Sequence, residues 1–274
     1  MPEPFRSAMP ESRPLPPYFG LLAVDAKDST RLPSVQHAPL SRAIAEIIHR
    51  SLEAAGLKEM RREFENNSGD GLSFGFDPSW VPFVISPFTE VLNKLLQRHN
   101  AGTGPRIRLR MSVHIGPVPV TPGLPGDGNA APRSETHRLL DSEPARSCLA
   151  RADAHATPLV VIVSDAVHHA VVVGGYCALQ RSRFTEVRAE VAGKDFAQTA
   201  WMYVPSPSGE LLHQPAAQPE SAKGLAEEAD DAVPAGPQSC RTRFQHVEYG
   251  VAVMDSTMRD VHHHTVHHQG PGRL

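Results

Sequence analysis

The sequence predicts an α+β domain built around a βαββαβ core. Short apolar runs that suit buried strands alternate with segments of helical periodicity, and proline-rich stretches lie outside this alternation at both ends. The order is strand, helix, hairpin, helix and strand, followed by a further helix and strands. This is a ferredoxin-like arrangement, for which we expect a sheet covered on one face by helices.

The first half of the core has clear element signals. Residues 19–25 form a short apolar run that ends on an acid, as a buried strand does. Residues 39–56 carry apolar side chains on one helical face, and Gly56 stands where a C-terminal cap is expected. The segment 66–71 has the composition of a hairpin turn and enters a strand over 72–76.

The second half is predicted from the same periodicities. Strict alternation over 107–115 predicts a strand, and Ser164 and Asp165 are predicted to cap a short helix. His168 and His169 on that helix are expected at the surface. The other predicted elements are helices over 81–98 and 134–152, a buried strand over 158–163, and strands over 184–191 and 199–204.

Composition divides the chain into four parts. We expect a disordered arm over 1–17, the domain over 18–207, a disordered linker over 208–238 that is poor in large apolar side chains, and a short His-rich tail over 239–274. A formal charge of −3 argues against a nucleic-acid partner. There is no signal-peptide pattern and no apolar run long enough to span a membrane, and three widely spaced cysteines suit a cytoplasmic protein.

Two acids are candidates for metal binding. Asp25 ends the first strand and Asp70 lies in the hairpin turn, and these strands are neighbours in a βαββαβ sheet. Carboxylate oxygens of this kind suit Mg²⁺ or Mn²⁺ together with substrate phosphates. Each acid taken alone also fits an ordinary turn residue. The small and hydroxyl residues after Asp25 expose backbone N–H groups that suit a triphosphate, although neither GxxxxGK[ST] nor GxGxxG occurs.

Five segments resemble the motifs of the class III adenylate and guanylate cyclases. They are, in chain order, 24–30 (VDAKDST), 68–76 (SGDGLSFGF), 108–117 (RLRMSVHIGP), 138–140 (RLL) and 161–165 (VIVSD). The two acids are 45 positions apart, close to what that fold needs for a helix and a returning strand. The resemblance spans roughly 190 residues in the family's order and implies a divergent bacterial nucleotidyl cyclase domain.

The resemblance also implies roles for individual residues. Asp25 and Asp70, assisted by the Ala26 carbonyl, would hold two Mg²⁺ or Mn²⁺ ions, and a nucleoside triphosphate would be the substrate. Arg138 would stabilise charge at the α-phosphate, and a homodimer would bring it to the acids of the other copy. Phosphates would be bound through the main chain of Lys27, Asp28, Ser29 and Thr30.

The sequence departs from the family at two positions. Asn66 stands where a base-reading lysine is usual, and Ser134 stands where an orienting asparagine is usual. Three readings therefore stay open: a cyclase with an altered base preference, a catalytically weak nucleotide sensor of the same fold, and an unrelated ferredoxin-like domain.

The tail over 239–274 carries apolar and β-branched residues together with a broken run of histidines. Solvated polar residues are one interpretation of this segment, and a metal tract is another. Low charge and β-branched residues beyond a linker are also typical of strand-stacking motifs, so we expect a protein partner to bind through this tail.

Overall fold

The computed structural model describes residues 12–124 and 126–212. Most of the predicted arm and linker, and the whole of the tail over 239–274, lie outside the described residues. The strands are β1 (Tyr18–Ala26), β2 (Arg62–Asn67), β3 (Gly71–Phe76), β4 (Leu109–Pro117), β5 (Leu159–Ser164), β6 (Thr185–Glu190) and β7 (Ala197–Tyr203). The helices are α1 (Ser34–Ala54), α2 (Val81–Ile85), α3 (Phe88–Asn100), α4 (Ala131–Asp141), α5 (Glu143–Arg151), α6 (Asp165–Val167) and α7 (Gly209–Leu212).

All seven strands form one sheet in the order β2-β3-β1-β4-β5-β7-β6. Strand β1 pairs antiparallel with both β3 and β4, and β2 pairs antiparallel with β3. The first four strands therefore have the order of a ferredoxin-like βαββαβ core, which confirms the predicted fold class. Strand β5 then adds in parallel to β4, and β7 and β6 extend the sheet with antiparallel pairs.

The main hydrophobic core lies between one face of the sheet and helices α1 and α3. Every second residue of β4 faces it, and the predicted apolar positions of α1 are all buried. Gly56, just beyond α1, has φ +78°, and the N–H of Leu57 bonds the Leu52 carbonyl at 2.8 Å. The predicted glycine cap is thus present, and it closes the helix end by a left-handed turn.

The opposite face of the sheet is also covered, which differs from the prediction of helices on one face. Helix α4 lies on β1 and β4 there, and the Ser112 hydroxyl donates to the Thr136 carbonyl at 2.8 Å. Arg110, Ser112 and His114 alternate with the core residues of β4 and are themselves buried. Sequence alternation marked them as polar, but each contacts a residue of α4 through at least one polar atom, so polarity did not mean exposure.

Prolines account for the differences in helix boundaries. The helix predicted over 81–98 breaks before Pro87, and the helix predicted over 134–152 breaks at Ser142, two residues before Pro144. In contrast, Pro39 lies inside α1, which begins at Ser34 rather than after this proline. That part of α1 is solvent-exposed, so the one hydrogen bond lost at Pro39 leaves a carbonyl that water can reach. None of the helices within the described ranges is long and apolar enough to cross a membrane.

His168 is fully buried, so the prediction that it lies at the surface was wrong. A π-helix (His168–Val173) continues α6 and turns the imidazole onto the Trp201 ring, with ring centroids 3.7 Å apart and planes 11° from parallel. The Phe184 ring closes the pocket from another side, at 5.6 Å. Neither ring nitrogen has a hydrogen-bond partner among the described residues. His169, as predicted, is exposed.

The pKa of His168 is lowered because burial disfavours the imidazolium, and the positive charges of Arg181 and His169 lower it further. Asp165 acts in the opposite direction, but its carboxylate accepts a hydrogen bond from the Trp201 indole at 2.9 Å. The folded protein therefore favours neutral His168.

Candidate functional site

The candidate site lies where β1, β3 and β4 meet at the end of β1. Asp25 pairs in register with Gly71 of β3 on one side and with Arg110 of β4 on the other. The hairpin turn that carries Asp70 directly precedes Gly71, so both predicted metal-binding acids lie at this end of the sheet.

Gly71 lets the two strands approach closely at this point. A Cβ atom at this position would lie 2.6 Å from the Val24 carbonyl oxygen and 3.5 Å from the Asp25 Cα. Backbone atoms cannot rotate away, so a side chain here would push β1 and β3 apart. The glycine after Asp70 is therefore a packing requirement of the site.

Two hydrogen bonds tie Asp70 to the end of β1. The Ala26 N–H donates to the Asp70 carbonyl at 2.9 Å, and the Ser29 hydroxyl donates to the Asp70 carboxylate at 2.5 Å. The turn is held by Gly69, whose φ is +93° and whose N–H donates to the Asn67 side chain at 2.8 Å. These contacts fix Asp70 against the segment that follows Asp25.

Asp25 is paired with a buried cation. The Arg110 guanidinium donates to the Asp25 carboxylate and also contacts Asp141, at the end of α4, at 3.4 Å. Burial raises the pKa of Asp25, Arg110 lowers it, and the negative charges of Asp70 and Asp141 raise it again, so that the pKa lies above its ordinary value. Burial thus disfavours the charged form of Asp25 even with Arg110 beside it, and a further cation would favour the carboxylate.

Arg110 and Asp141 were missed by sequence reasoning. The available signal was the alternation of β4, which sets Arg110 on the opposite face from the apolar residues, in register with the strand that ends in Asp25. Asp141 gave no comparable signal, because its position depends on how α4 crosses the sheet.

The turn after β1 contains the predicted phosphate-binding residues. Asp28 adopts a left-handed conformation with φ 61°, and a 3-10 turn (Ser29–Arg31) that includes Thr30 follows. Lys27 donates to the Asp28 carboxylate, which lowers the pKa of Asp28. A left-handed residue followed by a helical turn directs successive N–H groups to one side, an arrangement typical of anion-binding turns.

Two cavities open beside the acids. The serine cavity, of about 410 Å³, adjoins Asp70, and the acidic cavity, of about 280 Å³, adjoins Asp25 and Asn66. The serine cavity is lined by Ser29, His37, Leu40, Ser41, Ser68, Gly69 and Asp70. The acidic cavity is lined by Val24, Asp25, Asn66, Ser68, Leu72, Ser73, Arg110, His137, Leu140, Asp141 and Arg146. The predicted residues Asp25 and Asn66 therefore line the acidic cavity, Ser29 and Asp70 line the serine cavity, and Ser68 lines both.

Ser134 and Arg138 of α4 do not join this group within the chain. The Arg138 guanidinium lies over the Phe196 ring, 5.8 Å from its centroid, and Ser134 is exposed in the first turns of the helix. Neither residue lines the serine or the acidic cavity. His137, Leu140 and Asp141 are the α4 residues that line the acidic cavity.

The donor set fits a divalent cation bound together with a substrate. No cluster of three or more His, Cys, Asp or Glu side chains suited to a metal occurs within residues 12–124 and 126–212. Asp25 and Asp70 would thus supply two carboxylates, and water or phosphate oxygens would complete the coordination, as is common for Mg²⁺. Arg110 now pairs with Asp25, so a metal ion at this carboxylate would replace or adjoin that ion pair.

Comparison with known proteins gives structural matches only. No protein-family model matches the sequence, and no curated protein matches it. The matching solved structures include an adenylate/guanylate cyclase/hydrolase from Silicibacter pomeroyi, with 21% identity, 69% of this chain and 97% of that chain covered, and a TM-score of 0.47.

Two further matches have similar coverage. A bacterial light-regulated adenylyl cyclase is 12% identical, with 69% of this chain and 91% of that chain covered and a TM-score of 0.48. The monomeric guanylyl cyclase domain of the RhoGC fusion protein from Blastocladiella emersonii is 14% identical, with 70% and 96% covered and a TM-score of 0.41. The matched structures are thus cyclase domains, the family that the motifs resemble. The fold assignment itself rests on the strand order given above.

Proposed function

We propose that this chain is a divergent nucleotidyl cyclase, which converts a nucleoside triphosphate to a 3′,5′-cyclic nucleotide and pyrophosphate. The observation that carries the proposal is the convergence of Asp25 and Asp70 at adjacent strand ends, joined by the 2.9 Å bond from the Ala26 N–H to the Asp70 carbonyl. Two carboxylates beside a turn suited to phosphate are typical of sites where Mg²⁺ acts on a phosphate substrate.

Asp25 and Asp70, with the Ala26 carbonyl, would hold two Mg²⁺ or Mn²⁺ ions. When bound, such ions lower the pKa of the attacking hydroxyl and neutralise phosphate charge. Ser29 orients the Asp70 carboxylate through its hydroxyl, and Arg110, which now neutralises Asp25, would exchange that partner for phosphate oxygens. The negative charge of Asp25 would stay compensated in this exchange, because a metal ion would take the place that Arg110 leaves.

The turn from Lys27 to Thr30 would bind the phosphates through the backbone N–H groups of Asp28, Ser29 and Thr30, because the Lys27 N–H already bonds the Arg108 carbonyl at 2.9 Å. The left-handed Asp28 supports this role, because it bends the chain between β1 and the 3-10 turn. Asn66, which lines the acidic cavity, would face the base and can both donate and accept hydrogen bonds, unlike a lysine.

Arg138 and Ser134 would act on the site of a second copy. Within one chain Arg138 lies over Phe196 and lines neither cavity beside the acids, so its role at the α-phosphate requires a homodimer with shared sites. In that arrangement the guanidinium would stabilise charge that develops as the cyclic product forms.

A catalytically weak nucleotide sensor is the second candidate. The observations that favour it are the Asp25–Arg110 ion pair, which satisfies the acid without a metal, and the departures at Asn66 and Ser134. Such a module would bind nucleotide and signal through a protein partner on the tail over 239–274.

Product formation by the full chain tests the proposal. Purified protein is incubated with Mn²⁺ and each of ATP, GTP, CTP and UTP, next to Asp70→Asn and the remote surface control Arg50→Ala. We expect one cyclic nucleotide, lost in Asp70→Asn and unchanged in Arg50→Ala. Metal-dependent nucleotide binding without product from any triphosphate would support the sensor instead.

Mixing variants tests the shared site. Asp70→Asn and Arg138→Ala are each expected to be inactive alone. Mixed in equal amounts, they form heterodimers in which one of the two sites is intact, so part of the activity returns. If no activity returns although sedimentation shows that dimers form, the shared site is contradicted. The role of Asp70 in metal binding would then still be tested by the activity of Asp70→Asn alone.

A further inference from the structure

Strand β2 contains a bulge that decides which of its side chains face the acidic cavity. Glu63 pairs with Gly75 of β3. The next pair joins Asn66 to Ser73, so three steps along β2 match only two steps along β3. Without the extra residue, the pairing that begins at Glu63 would place Glu65 opposite Ser73. Because a shift of one residue turns the side chains of a strand to the other face, the bulge puts Asn66 where Glu65 would otherwise lie.

Asn66 and Glu65 lie on opposite faces of the sheet. Asn66 lines the acidic cavity together with Ser73, on the side of helix α4. The Glu65 carboxylate lies 3.3 Å from the Arg62 Nε and lines a groove on the side of helix α1, next to His49. The negative charge of Glu65 is therefore kept out of the acidic cavity.

Phe64 forms the bulge through a backbone conformation that few bulky residues adopt. Its φ is 52°, in the left-handed region, where a residue with a Cβ atom is strained. Its ring packs edge-on against the Phe19 ring, with centroids 5.2 Å apart. Strain of this kind persists only where the surrounding structure holds the residue in place.

The connection between β4 and α4 supplies contacts that hold Phe64. The Arg133 guanidinium, in the first turn of α4, donates to the Phe64 carbonyl at 3.1 Å. Gly128 is buried with φ 70°, and a Cβ atom there would lie 2.4 Å from the Phe64 Cγ. The ring thus fills space that only a glycine leaves free. The bulge is therefore tied to α4 and to the loop before it, and is not a local irregularity of β2 alone.

The acidic cavity has no formal net charge with Asn66 in its wall. Its ionised lining residues are two carboxylates and two guanidiniums, those of Asp25, Asp141, Arg110 and Arg146. Burial and the positive charge of Arg133 lower the pKa of His137, which also lines the cavity, so its imidazole is favoured in the neutral form. Glu65 in the place of Asn66 would add a third carboxylate, which would repel an anionic ligand.

We propose that Phe64 is a positioning residue that sets the ligand specificity of the acidic cavity. Through its left-handed backbone it selects Asn66, and excludes Glu65, as the β2 side chain that meets the ligand. The cavity thereby admits an anionic nucleotide and offers it an amide, which both donates and accepts hydrogen bonds. The identity of the ligand rests on the proposed function, whereas the register of β2 does not.

Paired cysteines test the register without any ligand. Asn66→Cys with Ser73→Cys is compared with Glu65→Cys with Ser73→Cys, in the full chain after its three natural cysteines have been replaced by alanine. Directly opposed residues of an antiparallel pair have the Cα spacing of a disulfide, whereas side chains on opposite faces do not meet. We expect the first pair to oxidise and the second to stay reduced. Oxidation of the second pair, or of neither, would overturn the register.

Phe64→Gly and Phe64→Val test the backbone of Phe64 in the same two cysteine pairs. Glycine adopts a left-handed φ without steric cost, so Phe64→Gly should keep the crosslink between positions 66 and 73. Valine is branched at Cβ and opposes this φ, so Phe64→Val should shift crosslinking toward the pair at positions 65 and 73. A Phe64→Val chain that still crosslinks only between positions 66 and 73 would reject the role of Phe64.

Calorimetric titration tests the consequence for binding. The probes are the α,β-methylene analogues of ATP and GTP with Mn²⁺, because their α–β bridge does not break. Asn66→Glu is expected to weaken the better-bound analogue at least about 10-fold, since it brings a like charge into the cavity. Glu65→Gln, the matched control on the opposite face, and Phe64→Gly should leave the affinity unchanged. Equal affinities for Asn66→Glu and Glu65→Gln would overturn the specificity role.

The two sets of measurements separate this inference from the proposed function. If neither analogue binds the wild type and no cyclic product forms, while positions 66 and 73 crosslink, the register is confirmed and the nucleotide function is rejected. Cyclic product from the wild type, together with an analogue affinity that Asn66→Glu leaves unchanged, would reject the specificity role alone.

Discussion

Replacing Gly71 by alanine should disturb the candidate site through the backbone of its two strands. The new Cβ would meet the Val24 carbonyl oxygen at 2.6 Å, whereas contacts closer than 3.4 Å are already unusually tight, so β1 and β3 must separate by several tenths of an ångström. Strain of this kind costs roughly 1–3 kcal/mol. Alanine is otherwise preferred over glycine in a strand by about 0.5–1 kcal/mol, so a net loss of stability reports the clash.

Urea denaturation and turnover measure the two consequences of Gly71→Ala separately. We expect the free energy of unfolding to fall by up to roughly 2.5 kcal/mol after the alanine preference is subtracted from the strain. The rate of cyclic-product formation should fall by about 100-fold, because a shift approaching 1 Å between reacting groups has that effect.

Gly75→Ala is the matched control on the same strand. Its Cβ would meet the Phe64 ring at 3.0 Å, and a ring can move where a carbonyl cannot. The variant should therefore lose less stability and retain turnover. A Gly71→Ala protein as stable and as active as Gly75→Ala would refute the reasoning that close approach of the strands shapes the site.

Three other predictions follow from contacts described above. Ser29→Ala removes the 2.5 Å hydrogen bond to Asp70 and should lower the free energy of unfolding by about 0.5–1.5 kcal/mol in urea, whereas Ser29→Thr should not. The lowered pKa of His168 means that the unfolded chain binds the extra proton, so stability should rise with pH up to about 6.5 and then level off. His168→Phe should flatten this rise in thermal melts, and an unchanged pH profile would contradict the assignment. Phe88→Ala should cost about 3–5 kcal/mol because Phe88 is fully buried, while Phe83→Ala, at an exposed position, should be nearly neutral.

Much of the fold follows from local sequence signals. Strand β5 is a continuous apolar run, and α1 has a periodic apolar face and a glycine cap. The hairpin between β2 and β3 follows from the Asn, Ser, Gly and Asp residues of its turn. Helix boundaries were predicted less well, because a helix breaks before Pro87 whereas Pro39 lies inside one. Local pattern alone does not tell these two prolines apart, and neither does their exposure, since both lie at the surface.

Some residues of the candidate site could also be predicted from the sequence, and others could not. Asp25 and Asp70 were found because strand neighbours follow from the order of the elements. Arg110 was visible only as a polar residue in an alternating strand, and its pairing with Asp25 depends on the register between β1 and β4. His168 was misjudged because burial of a histidine depends on the π-helix and on Trp201, which lies 33 positions further along the chain.

The central place of β1 has a consequence for how the protein folds. Its partners are β3 and β4, whose pairings join Asp25 to Gly71 and to Arg110, positions that are distant in the chain. Each pairing requires the closure of a long loop before any contact is gained, and such topologies fold more slowly than folds rich in local contacts. The acids and Arg110 therefore meet only after the centre of the sheet has formed. In refolding, metal and anion binding should return with the slowest structural phase rather than with the helices.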